Sequence, residues 1–127
     1  MDQVSRWRQR IDQLSKLRKP LESQLMRPRG MRIGSVMKQY MFCGKPSCAC
    51  HRDPQKKHGP YYYLSYKEGG QSRYKYLGKA ASPAVERARN YQVFQRAIAQ
   101  LGRMHREIID LLWKIGETKM KEGDEEK

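Results

Sequence analysis

Long apolar runs are missing from this chain of 127 residues. No stretch approaches the length of a membrane span, and the start, MDQVSRWRQR, lacks the apolar core of a secretory signal, so a cytoplasmic protein with no membrane partner is expected. Acidic side chains are scarce, 13 against 27 Lys/Arg for a net charge of +14, and the shortage is uneven. Residues 1–80 hold 5 Asp/Glu against 18 Lys/Arg, whereas residues 81–127 hold 8 against 9. Such a field draws an anionic polymer, because each neutralised phosphate releases a condensed counterion. Cysteine is scarce too: there are three, an odd number that cannot pair completely within the chain, and a reducing compartment argues further against a disulfide framework. Also lacking are paired carboxylates, a nucleophile with its base, and a phosphate-cradling glycine loop. An enzyme acting on a small-molecule substrate is therefore not expected.

What is present is periodic. Val4, Trp7, Ile11, Leu14, Leu21 and Leu25 fall three and four apart with Arg18 in the gap, the stripe of an amphipathic helix. Pro20 sits inside it and is expected to kink or break the helix near Lys19, through the lost backbone donor and the clash with the preceding turn. This helical segment covers residues 1–29. Next, GSVMKQYMF reads as a strand, and GPYYYLSYKEGGQSRYKYLGK as two more, near 60–66 and 72–78, turned at Glu68, Gly69 and Gly70. Ser82 and Pro83 are a helix start. From there Tyr91, Phe94, Ile98, Leu101, His105, Ile108, Leu112 and Ile115 hold a 4–3 pattern, giving a long helix over 82–116 that needs a partner. The amino-terminal stripe, packed antiparallel, is one; a second copy of the chain, in a homodimer or larger complex, is another. Residues 117–127, ETKMKEGDEEK, read as a disordered tail.

All three cysteines fall between the first two strands, in CGKPSCACHRDPQKKHGP. Cys43, Cys48 and Cys50 with His58 supply the four sulfur and nitrogen ligands of a closed, structural Zn2+ site, and His51 is the alternative fourth ligand. Packing as small buried residues would not explain three thiols in a loop otherwise rich in Lys, Arg, Asp and Gln. The expected fold class is thus α+β: one domain in which a zinc knuckle and a three-stranded antiparallel sheet, residues 30–81, are flanked by the amino-terminal helix and the long carboxy-terminal helix. The span GSVMKQYMFCGKPSCACHRDPQKKHGPYYYLSYKEGGQSRYKYLGK resembles a family of small basic bacterial and phage proteins recorded only as a domain of unknown function, over about residues 30–115. That resemblance implies that cysteines, histidine and GPYYYL form one unit and brings no established activity; a role as an accessory factor of a mobile element or phage is an expectation apart from it. The order of three strands and a helix is also similar to the arm-type DNA-binding domains of tyrosine recombinases, whose sheet enters the major groove.

The strands interleave tyrosines with cations, as a sheet does when it seats bases on rings and phosphates on charges. Candidate nucleic-acid contacts are Lys38, Lys45, Arg52, Lys56, Lys57, Tyr62, Tyr66, Lys67, Arg73, Tyr74, Lys75 and Tyr76, although several of the tyrosines must serve the core, since tyrosine is a good strand former. The expected function is non-enzymatic, zinc-stabilised nucleic-acid binding, DNA ahead of RNA. A rival is a protein-interaction subunit of a ribonucleoprotein or DNA-processing complex, working through the long helix. A remoter one follows from PYYYL and YKYLG with Arg87, which are similar to the GIY-YIG nucleases; their metal-binding glutamate would here be Glu107.

Overall fold

The computed structural model describes residues 2–79 and 82–125; Met1, the end of the expected sheet segment at 80–81 and the last two tail residues lie outside it. The chain forms two compact units. One comprises the residues up to Pro28 together with those from Phe94 onward, and the other is Arg29–Val93. Among the described residues, no helix is long and apolar enough to cross a membrane.

The first unit is a pair of antiparallel helices. Helix α1 (Gln3–Leu25) is capped by Asp2, whose carboxylate accepts the Ser5 amide at 2.7 Å. It runs as one helix through Pro20, where a kink or break near Lys19 was expected, so the helix is not divided there. One lost backbone bond does not end a helix whose flanking turns are held by an Arg18–Glu22 ion pair at 3.1 Å across the proline and by packing of the stripe before it. Leu14 is buried against Ile108 and Leu111 of helix α2 (Pro83–Glu125), with Trp7, Ile11 and Met104 around them. Arg10 grips Glu107 with two bonds, Nε–Oε1 at 2.9 Å and Nη2–Oε2 at 3.1 Å.

Two expectations for α2 are corrected. The segment placed in a disordered tail is helical from residue 117 to 125, stitched by Thr118 Oγ1 donating to the Lys114 carbonyl and by a Lys119–Glu122 pair at 3.1 Å. The buried face of this half of α2 also overlaps the expected stripe only in part: Leu101, Ile108 and Ile115 lie on it, while Ala97, Met104 and Leu111 stand one position before Ile98, His105 and Leu112. Ala97, Ile108 and Leu111 are buried with Leu101, Met104 and Ile115 partly so, whereas Ile98 and Leu112 are exposed. Two apolar stripes lie side by side on this helix, and α1 covers only one.

The second unit holds the sheet, in the order β1 (Ser35–Met41), β2 (His58–Glu68), β3 (Gln71–Gly78), all antiparallel. The β2–β3 hairpin turns on Gly69 and Gly70, both at positive φ (57° and 81°), as a two-residue turn matched to strand twist requires. Pairing sorts the side chains into two faces. Tyr62, Leu64 and Tyr66 share one with Val36 and Lys38 of β1 and with Arg73 and Lys75 of β3; Leu77, at a bulge, joins them. This is the packed face: Tyr62, Leu64 and Leu77 are buried with Val85 and Ala88 from the first turns of α2. Ser82 caps that helix, accepting from the Val85 amide at 3.2 Å while its hydroxyl donates to the Leu77 carbonyl.

Candidate metal centre

The knuckle is built where two strands converge. β1 ends two residues before Cys43 and β2 begins at His58, and the pairing of Met41 with His58 holds both ends of the intervening loop together. Gly59 makes that approach possible, because at φ 135° a Cβ there would lie 2.7 Å from the Gln39 carbonyl oxygen. Within the loop, the Cys48 amide bonds the Lys45 carbonyl at 3.1 Å, folding CGKPSC into a tight turn. Short 3-10 turns at Ala49–His51 and Pro54–Lys56 follow, the second capped by Asp53.

The outcome is a cluster of Cys43, Cys48, Cys50 and His58 with ligand atoms all within 4.8 Å of one another, able to hold one metal ion. The Cys43 and Cys50 sulfurs are 3.6 Å apart, and Cys48 Sγ lies 3.3 Å from His58 Nε2. All three thiols are free. Cys50 is fully buried, and that desolvation pushes its thiol pKa up. The Cys48 pKa is drawn down to about 6, first by the Cys50 backbone amide and then by His58. Backbone donors aimed at sulfur favour thiolate, the form that binds metal. His51, the alternative fourth ligand, is engaged elsewhere: its Nε2 lies 2.8 Å from the Cys43 carbonyl oxygen and its ring stacks on Phe42 at 5.6 Å.

The opposite sheet face is open. Tyr61, Tyr63, Ser65 and Lys67 lie there with Met37 and Gln39 of β1 and Tyr74 and Tyr76 of β3. Tyr74 and Tyr76 are 61% and 55% exposed, and the Tyr76 ring centroid stands 5.3 Å from that of Tyr63 and 6.5 Å from that of Tyr61. Of the candidate contacts, Tyr62 is corrected: it is only 6% exposed and belongs to the core, with the Arg89 guanidinium 5.3 Å above its ring. Tyr66 is half-buried against the same core. Lys38, Lys45, Arg52, Lys56, Lys67, Arg73 and Lys75 are exposed, and Lys57 is half-buried with its ammonium 4.7 Å from the Phe42 ring. Tyr61 and Tyr63 were not among the sequence candidates. The GPYYY alternation carried them, but only the pairing with Tyr76 shows on which side they fall. Both carboxylate oxygens of Glu107 are taken by Arg10, which leaves the proposed nuclease glutamate a structural ion pair.

A family model described as Domain of unknown function (DUF6788) matches residues 6–87. The chain belongs to the DUF6788 family. The DUF6788 match takes in all four candidate ligands and the whole sheet, and extends into α1 and the opening turns of α2. No curated protein and no solved structure matches the chain.

Proposed function

We propose that this DUF6788 member is a zinc-braced nucleic-acid-binding protein, with DNA as the favoured ligand. The ligand set suits zinc: three thiolates and one imidazole at bond lengths of about 2.3 and 2.0–2.1 Å in a tetrahedron imply S–S and S–N separations of about 3.8 and 3.5 Å, near the 3.6 and 3.3 Å observed. With four protein ligands such a site has no position left for a reacting water, so zinc would be structural. It would tie the β1–β2 loop, with Lys45, Arg52, Lys56 and Lys57, to the strands. His51 and the Phe42 ring support that loop from outside the ligand set.

The observation that carries the reading is the open face of Tyr61, Tyr63, Tyr74 and Tyr76, edged by Lys67, on a unit whose loop and outer strand are rich in exposed cations. Aromatic rings left uncovered beside Lys67, on strands whose other face carries Arg73 and Lys75, suit base or sugar contact, with charges on phosphates. The test is a titration of metal-loaded protein against duplex DNA, single-stranded DNA and structured RNA. Tyr76→Leu or Tyr63→Leu is expected to weaken binding about tenfold, since a stacked base is worth roughly 1–3 kcal/mol. Normal binding by both variants would reduce the surface to charge alone, and the absence of binding to any of the three ligands would overturn the reading.

A further inference from the structure

The carboxy-terminal half of α2 carries an apolar face that α1 does not cover. Ile109, Leu112, Trp113, Gly116 and Met120 line a shallow groove of about 330 Å³, with Trp113 61% exposed. The space above Gly116 is open. Continued backwards at three- and four-residue steps, the same stripe passes His105, Gly102 and the exposed Ile98, so it extends for about three heptads beside the stripe that α1 buries. An apolar strip of this length on an exposed helix is a contact surface in search of a partner.

Charge indicates which partner. The chain as a whole is +14, yet residues 94–127 hold seven Lys/Arg and seven Asp/Glu, a net of zero. Here two copies can meet without the repulsion that governs the rest of the molecule. The neutral segment is also divided: residues 94–106 carry three arginines and no acid, net +3, whereas 107–126 carry three lysines against seven acids, net −4. Laid parallel, two such helices set like against like; laid antiparallel, each basic stretch meets an acidic one. We infer that the Ile98–Met120 face of α2 is a self-association surface on which a second copy of this chain packs antiparallel.

Centred on Ile109 and Leu112, the pairing seats each isoleucine against the partner's Leu112 and each His105 over the partner's Gly116. It sets Arg103 beside the partner's Glu117 and brings Arg106 to the face of the partner's Trp113. Because the interface is isologous, every contact occurs twice.

The experiment is sedimentation equilibrium on the full metal-loaded chain, free of nucleic acid, at micromolar concentrations. Native protein is expected at twice the chain mass and Leu112→Glu at the chain mass, with unchanged helical circular dichroism, because Leu112 is exposed and its replacement leaves the α1 contact intact. Arg103→Glu and Glu117→Arg should each weaken the dimer about tenfold, and the double exchange should restore it. A monomeric native chain would assign the face to a different protein and overturn the inference. So would a dimer that survives Leu112→Glu, or an Arg103→Glu variant that tightens, the sign of parallel pairing. None of these outcomes depends on nucleic-acid binding, which is measured separately.

Discussion

At the residue scale, the loop 43–58 separates residues that would ligate from residues that hold ligands in place. Cys48→Ser removes one of four donors and should abolish tight metal binding, read as loss of zinc from purified protein together with a lower melting temperature, since binding energy at a structural site is folding energy. His51→Ala should act differently. It takes away the partner of the Cys43 carbonyl and the ring stacked on Phe42 while leaving all four donors, so metal is retained with an affinity about 10–100-fold weaker in a chelator competition. Equal loss in both variants would make His51 a ligand after all. Of the two histidines, spacing alone left His51 open; the register that brings His58 opposite Met41 decides between them, and register depends on Gly59 passing close to Gln39, a contact between strands that spacing does not show.

Elements test the two stripes of α2. Leu14→Ala opens a cavity between α1 and α2 and should cost about 2–5 kcal/mol in denaturant unfolding, while Leu112→Ala, on the uncovered face, should cost the folded monomer almost nothing. The Arg10–Glu107 pair predicts an acid response. Hydrogen bonding from Arg10 holds the Glu107 carboxyl below its ordinary pKa of 4.5, so its contribution is present above that pH and is lost as pH falls through the lowered value. Glu107→Gln should therefore flatten part of the acid dependence of helix-pair stability. Both helices, the three strands and the Gly-Gly hairpin were legible, because 3.6 and 2 are periods that side-chain polarity records directly. The register of α2 was legible only in part. Adjacent apolar stripes satisfy the same spacing, and only the position of Leu14 sets Leu111, in place of Leu112, beside the expected Ile108. The last helical turns were hidden for a related reason: residues 117–125 lack an apolar stripe, and their helix rests on continuation from residue 116 and on the Lys119–Glu122 pair.

For the whole molecule, two units with separate cores predict two responses to metal removal. Chelation should melt the sheet of the Arg29–Val93 unit while most of the helical signal of the α1–α2 pair persists, seen as a partial loss in circular dichroism and two steps on heating; a single cooperative loss would show that the units stand or fall together. Charge is likewise a property of the entire chain. With net charge of +14, affinity for duplex DNA should fall steeply with salt, at a log–log slope near 0.9 per phosphate contact, and a flat response would remove nucleic acid as the ligand. Strand β3 has a further consequence, one of solubility. It is an outer strand whose far edge has no neighbour among the described strands, and it displays two tyrosines on one side. An uncovered edge of that kind is a template for adding another strand. Arg73 and Lys75, alternating with Tyr74 and Tyr76, keep like edges apart by repulsion. Neutralising both would thus do more than weaken a ligand: it would disarm the edge, and such a variant should form β-rich oligomers on concentration, with the clock running faster as salt screens the charges that remain.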